Sequence, residues 1–257
     1  MPEIAAATAS RIAITWLGHA TALLELDGVR LLTDPVLGQR VGPLVRIARP
    51  VGQGTLGEID VVLLSHLHAD HVDLPSLRQM PQGVPMIVPR GAGAWLRRRG
   101  RSDVRELAAG EAAVVGAVRV AATPARHDGR RPPFGPSADP VGFVVTGSQV
   151  VYFAGDTDLF AAMEQLHGTI DVALLPIWGW GPALGPGHLD PERAAQAVAI
   201  IAPRVAIPIH WGTLALGRPA RRPADPGRPA RTFTTLARRY APDVAVRVLE
   251  PGERTEL

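Results

Sequence analysis

Short apolar runs rich in β-branched residues recur along the chain and predict strands. They span Arg11 to Trp16, Val29 to Leu32, Ile59 to Ser65, Val118 to Ala122, Val141 to Thr146, Val150 to Ala154, Asp171 to Ile177 and Arg204 to Ile209. Several are apolar at successive positions rather than alternate ones, as expected of strands covered on both faces in a layered protein. Helices are predicted between them. Thr157 to His167 has Asp156 and Thr157 as candidate caps and stops at Gly168. Asp190 to Ala202 opens on Asp190 as N-cap with Pro191 in the first turn, and a third helix is predicted over Thr232 to Tyr240. Two stretches, Asp128 to Pro140 and Gly217 to Arg231, are loops by their Pro and Gly content. The second carries Arg218, Arg221, Arg222, Arg228 and Arg231. A solvated loop is the favoured reading there, over a phosphate-binding lid. No repeat and no interdomain linker is visible, so residues 1–257 are expected to form one domain of the α/β class.

Composition narrows the chemistry. The 257 residues are 46% hydrophobic, enough for a sizeable core, and contain no cysteine, which excludes disulfides, thiolate metal ligands and a cysteine nucleophile. There is no lysine, and the formal excess of +3 is too small to suggest a nucleic-acid partner. The beginning of the chain lacks the basic region of a signal peptide, and no window offers the ~18 apolar residues of a membrane span. These features suit a cytoplasmic protein with no membrane span. No G-x-S-x-G elbow is present.

The histidines carry the strongest signal. Of eight, three lie in Ser65-His66-Leu67-His68-Ala69-Asp70-His71, directly after the predicted strand IDVVLLS. Residues i and i+2 of an extended chain point the same way, so His66 and His68 can share one metal ion. A turn beyond them lets Asp70 and His71 face a neighbouring second ion. Neutral imidazole with carboxylate suits Zn²⁺, and also Fe²⁺ or Mn²⁺. His127, Asp156 and His210 each follow the end of a predicted strand, where loops of layered α/β proteins converge. Asp34, in LTDPV, can hydrogen-bond a ligand imidazole and fix its tautomer. His167, beside Gly168, reads as a surface or helix-end residue.

The H-x-H-x-D-H segment, the Gly-Asp of AGDTD and the strand-terminal His210 resemble the metallo-β-lactamase superfamily. WLGHAT (Trp16 to Thr21), LTDPV, LLSHLHADHVD, FAGDTD, GHLDPERAAQAV (Gly187 to Val198) and IPIHWGTLAL (Ile207 to Leu216) occur in order. Together they are similar to the branch of N-acyl-phosphatidylethanolamine phospholipase D and its bacterial relatives. The tract around His127 and the loop after Leu216 depart from that branch. The resemblance implies an αββα sandwich, two mixed β-sheets face to face with helices outside. It implies two divalent cations, Zn²⁺ first: His66, His68 and His127 on one, Asp70, His71 and His210 on the other, and Asp156 bridging.

These readings combine into an expected function: hydrolysis of a phosphodiester or related ester by a metal-bridging hydroxide, since the chain offers no other nucleophile set. A lactonase with the same metal core is the alternative; a nuclease and a non-catalytic binding protein rank below. Asp70, His188 and His19 are candidates for catalytic roles, His188 also for contact with substrate. The segment Pro176 to Gly187 carries Ile177, Trp178, Trp180, Ala183 and Leu184 with no charged residue. Trp178 and Trp180 are expected to form an apolar wall for a small-molecule or lipid-like ester.

Overall fold

The structure is a computed structural model that describes residues 12–52, 54–181, 184–217 and 223–257. Expectations about the beginning of the chain through Arg11, and about Ala183, Arg218, Arg221 and Arg222, lie outside the described residues.

The chain begins with three antiparallel strands, β1 (Ala13–Gly18), β2 (Thr21–Leu26) and β3 (Val29–Thr33). Asp27 and Gly28 join the last two with φ of 50° and 77°, the paired left-handed conformation that a tight two-residue hairpin needs. Two short strands, β4 (Arg40–Val41) and β5 (Leu44–Arg46), then leave this sheet. The chain returns with parallel strands β6 (Val61–Leu63), β7 (Met86–Pro89) and β8 (Val104–Leu107). Helices α1 (Leu74–Gln79) and α2 (Gly93–Arg97) make the crossovers between them.

The second sheet starts with antiparallel β9 (Ala112–Val115), β10 (Val118–Pro124), β11 (Val141–Thr146) and β12 (Val150–Phe153). It continues in parallel through β13 (Val172–Pro176) and β14 (Val205–Ile209). Helix α3 (Pro191–Ile201) crosses between those two. Its N-cap is Asp190, which accepts from Arg193 N–H at 2.8 Å. Strand β15 (Leu214–Leu216) pairs with β5 in a small third sheet. Helix α4 (Arg228–Tyr240) precedes β16 (Ala245–Val246), which joins the second sheet, and β17 (Arg254–Glu256), which joins the first beside β1.

Alternation along the strands shows how the layers stack. Ile12, Ile14, Trp16, Ala22, Leu24, Leu26, Leu31, Val61 and Leu63 join Val120, Phe143, Val145, Phe153 and Leu174 in one buried cluster between the sheets. Their neighbours Leu17, Leu23, Leu32, Val62 and Leu64 face the opposite way and pack with Leu77, Trp95 and Leu96 of the first sheet's helices. The second sheet is covered by α3 and α4 through Ala194, Val198 and Phe233. Each fully buried large apolar side chain contributes ~1.5–3 kcal/mol, so burying both faces favours this order of layers. The expected arrangement of two mixed sheets face to face, helices outside, is what the chain adopts.

Two predicted helices differ in extent. Over Thr157 to His167 only Ala161–Leu166 is helical, as a short 3-10 turn whose N-cap is the extended Phe160. Thr157 is engaged elsewhere: its hydroxyl accepts from Arg126 N–H at 2.9 Å and donates to Asp158 C=O at 2.8 Å. The third helix begins at Arg228, so the end of the predicted loop Gly217 to Arg231 is helical, with Pro229 in its first turn. The loop Asp128 to Pro140 folds back on itself through a bridge between Arg130 and Ser137.

Candidate metal centre

Seven strand ends deliver the site. His19 follows β1, Asp34 follows β3, Ser65 to His71 follow β6, His127 follows β10, Asp156 follows β12, the loop to His188 follows β13, and His210 follows β14. Three of these residues, His19, Asp34 and His210, take positive φ (53°, 31° and 65°), rare for residues with a side chain and typical of sites held in place by their surroundings. Gly155 also has positive φ, and a Cβ there would lie 2.5 Å from Ser65 Cβ, so the loops after β6 and β12 meet only because residue 155 is glycine.

His66, His68 and His127 form one cluster, with a nitrogen of each within 4.8 Å of the others. His127 Nδ1 lies 2.8 Å from Gly187 C=O and so donates there, turning Nε2 inward to 3.0 Å from His68 Nδ1. His66 Nδ1 contacts the Ser65 hydroxyl at 3.0 Å, while its Nε2 is buried with no hydrogen-bond partner among the described residues. Burial, then the charge of neighbouring His71, pushes His66 well below the usual histidine range; burial also lowers His68 and His127. Burial that disfavours their charged forms and the convergence of one nitrogen from each make this a donor set that suits a borderline metal cation.

His19, Asp70, His71 and His210 form a second cluster. His71 Nδ1 donates to Asp34 Oδ2 at 2.7 Å, which leaves Nε2 at 3.0 Å from His210 Nε2 and 3.1 Å from Asp156 Oδ2. His210 Nδ1 donates to Trp178 C=O at 2.8 Å. Burial alone would push His71 down, but Asp156 and Asp34 outweigh it and hold it well above its ordinary value. A cation is thus favoured among these carboxylates. Burial pushes His210 down to about 3. Burial would raise Asp70 and Asp156, yet the surrounding histidines hold both well below the carboxylate range. Asp156 lies between the clusters. Its Oδ1 is buried without a hydrogen-bond partner among the described residues, and its Oδ2 is 3.5 Å from His188 Nε2. The paired orphans, His66 Nε2 and Asp156 Oδ1, are the donor atoms that bound cations would satisfy.

All the metal-ligand candidates read from the sequence therefore meet here, and so do the other candidates. Asp34 is fully buried and accepts from Ser65 N–H at 2.7 Å and the Ser65 hydroxyl at 2.5 Å as well as from His71. His19 is buried, packs tilted against His210 with ring centroids 3.7 Å apart, and its Nε2 is 3.1 Å from Asp70 Oδ2. His188 is half-buried, its ring edge-on to His127 at 4.7 Å. Burial lowers His188, but its hydrogen bond with Asp156 more than offsets this and raises it. Trp178 packs against the main core, whereas Trp180 is 37% exposed and lines a cavity of about 570 Å³ with Trp178, Leu214 and Leu236. His167 lies apart, exposed, at the end of the 3-10 turn.

Some supporting residues escaped sequence reasoning. Arg131 Nη1 donates to Leu67 C=O at 2.6 Å and Val72 C=O at 3.1 Å, clamping the histidine loop from both sides while its guanidinium sits over Trp95. Nothing in a Pro/Gly-rich loop pointed to that role. Thr213 accepts from His19 N–H at 2.7 Å, and His19 C=O accepts from His210 N–H at 2.9 Å, which ties the ends of β1 and β14 together. Ser65 was within reach of inference, since it immediately precedes the first histidine.

Residues 29–211 match the family described as Beta-lactamase superfamily domain. The chain is similar to a metal-dependent hydrolase of Caldivirga maquilingensis, 32% identical over 93% of this chain and 96% of the relative. It is 31% identical to N-acyl-phosphatidylethanolamine-hydrolyzing phospholipase D 1 of Caenorhabditis elegans, over 79% of this chain and 64% of that enzyme. Among solved structures, a metallo hydrolase from Ignicoccus hospitalis superposes with TM-score 0.73 at 26% identity, covering 96% of this chain and 99% of the other.

Proposed function

The chain belongs to the metallo-β-lactamase superfamily and is a metal-dependent hydrolase, and from that premise we propose that it cleaves a phosphodiester or related ester bearing an apolar group. The observation that carries this reading is the pair of buried His/Asp clusters joined through Asp156, with Trp180 of the neighbouring cavity wall hydrogen-bonded to Asp70. We assign His66, His68 and His127 to one cation, Asp70, His71 and His210 to the other, and Asp156 to both. Zn²⁺ is the proposed ion, with Fe²⁺ or Mn²⁺ compatible with the same nitrogen and oxygen donors. Two such cations, when bound, would supply a nucleophile from water near neutral pH and polarise the bond under attack.

The chain's own residues do the rest. Asp34, Gly187 C=O and Trp178 C=O each take the Nδ1 proton of one histidine, so that Nε2 of His71, His127 and His210 is left as the ligating atom. His188 Nε2, half-buried and 3.5 Å from Asp156 Oδ2, would give its proton to the leaving oxygen. Trp180 and Leu236 exclude water beside the scissile group and hold its apolar substituent. The likeness to a phospholipid-hydrolysing enzyme supports an ester with such a substituent.

The test is a substrate series on the purified, metal-loaded protein: alkyl p-nitrophenyl phosphodiesters of increasing chain length, beside a panel of lactones. Each methylene buried is worth ~0.8 kcal/mol, so kcat/KM should climb with length until the cavity is full. A flat series together with lactone turnover would replace this reading with a lactonase acting on small polar rings.

A further inference from the structure

The loop from Ile177 to His188 reaches both clusters. Two of its contacts come from backbone carbonyls, Trp178 to His210 and Gly187 to His127, both at 2.8 Å. Many sequences could supply those. The third needs a particular side chain: Trp180 Nε1 donates to Asp70 Oδ2 at 2.9 Å. An indole N–H is a donor only, so it cannot compete with the carboxylate for a cation, but it can fix which way the carboxylate turns. The same oxygen lies 3.1 Å from His19 Nε2, so Asp70 is gripped by groups from two separate loops. An apolar wall alone could be built from Phe or Leu. Trp180 is partly exposed and lines the cavity, yet its one polar atom faces the one candidate ligand carboxylate that also meets His19.

We propose that Trp180 is a positioning residue: its indole N–H orients Asp70 for the second cation, so that the wall of the substrate cavity and the Asp70, His71, His210 site move as one unit. This rests on the reading of those three residues as ligands. A molecule that packs on Trp180 and stills the ring then tightens the second cation, and by linkage the second cation tightens that molecule.

The experiment compares the unaltered protein with Trp180→Phe, which keeps the aromatic wall and removes the donor, and Trp180→Ala, which removes both. Chelator-stripped protein is titrated with Co²⁺, followed by its visible absorption, and with Zn²⁺ against a competing chelator. The expected result is that both variants hold the first equivalent normally and the second about 10–100-fold more weakly, the usual effect of removing a hydrogen-bond partner of a ligand. The metal-free melting temperature of Trp180→Phe should stay close to that of the unaltered protein, since the aromatic packing is kept. The chain-length series separates the two roles, with its slope kept in Trp180→Phe and flattened in Trp180→Ala. Native affinity for both equivalents in Trp180→Phe overturns the proposal while leaving the metal assignment standing. Failure of the unaltered protein to take up a second equivalent overturns both.

Discussion

Asp34→Asn removes one buried charge beneath His71 with almost no change in size. The two oxygens of Asp34 serve three donors, Ser65 N–H, the Ser65 hydroxyl and His71 Nδ1–H. An asparagine presents a single oxygen, and its amino group must face one side of that set. The serine hydroxyl can reverse its direction, so while His71 keeps its proton on Nδ1 either Ser65 N–H or His71 Nδ1–H loses its acceptor; moving that proton to Nε2, toward Asp156 Oδ2 at 3.1 Å, spares the donor but blocks the ligating atom. A buried donor left unsatisfied costs ~1–3 kcal/mol. For a chain of this size that lowers the metal-free melting temperature by roughly 2–12 °C. The backbone adds no further penalty, because Asn tolerates the left-handed φ of this position. Metal binding should suffer separately. With its tautomer no longer fixed by a carboxylate, His71 should bind its cation about 10–100-fold more weakly, or ~1.4–2.8 kcal/mol. Calorimetry on metal-free protein and chelator competition on loaded protein measure the two effects independently. Native affinity for both equivalents, with an unchanged metal-free melting temperature, would refute the argument that Asp34 orients His71.

Asp156→Ala should deplete both cations, whereas His127→Ala should deplete one, because Asp156 reaches both clusters, lying against His71 and His210 and grouped with His127; elemental analysis showing the reverse order sinks the bridging assignment. His188→Ala should keep its metals and lose turnover by ~10²–10⁴-fold, the worth of a well-placed proton donor; loss of metal along with activity would make it a ligand instead. Tyr152 is fully buried, and burial pushes its hydroxyl far above the ordinary tyrosine value. Its folded pKa being raised, its stabilising contribution is complete below about pH 10 and is lost as the pH rises from there toward the folded value. Absorbance titration near 295 nm should therefore show Tyr152 ionising only with alkaline unfolding, and early reversible ionisation of both tyrosines contradicts its burial.

Local pattern was enough for much of the site. His66, His68, Asp70 and His71 lie within six residues, and the alternation of an extended chain followed by a turn already separates them into two directions. Asp190 and Pro191 announced α3 because a cap and a first-turn proline act on their own backbone neighbours. By the same logic the helix predicted from Thr157 failed. The hydroxyl of its candidate cap Thr157 is taken by Arg126, thirty-one positions away, and by Asp158, and Asp156 faces the histidines. Strands such as β7 and β8 went unread because four residues give little periodicity, and only the pairing of β7 with β6 and of β8 with β7 defines them.

The sequence by itself determined the donor types, their placement at strand ends and the double-faced burial of the strands, because each depends on residues a few positions apart. Only the tertiary structure decided which nitrogen of each histidine is free. That choice is made by Asp34, Trp178 and Gly187, residues brought in from other loops. It also decided that Trp178 packs on the core as well as lining the cavity, while Trp180 is more exposed and reaches Asp70, a difference between two like residues in one apolar loop. It placed Arg131 across the histidine loop and His19 against His210. Such roles follow from the order in which strands pair, which sets the loops that share an edge. The energy that fixes that order comes from apolar area buried between whole sheets, which no short window of sequence contains.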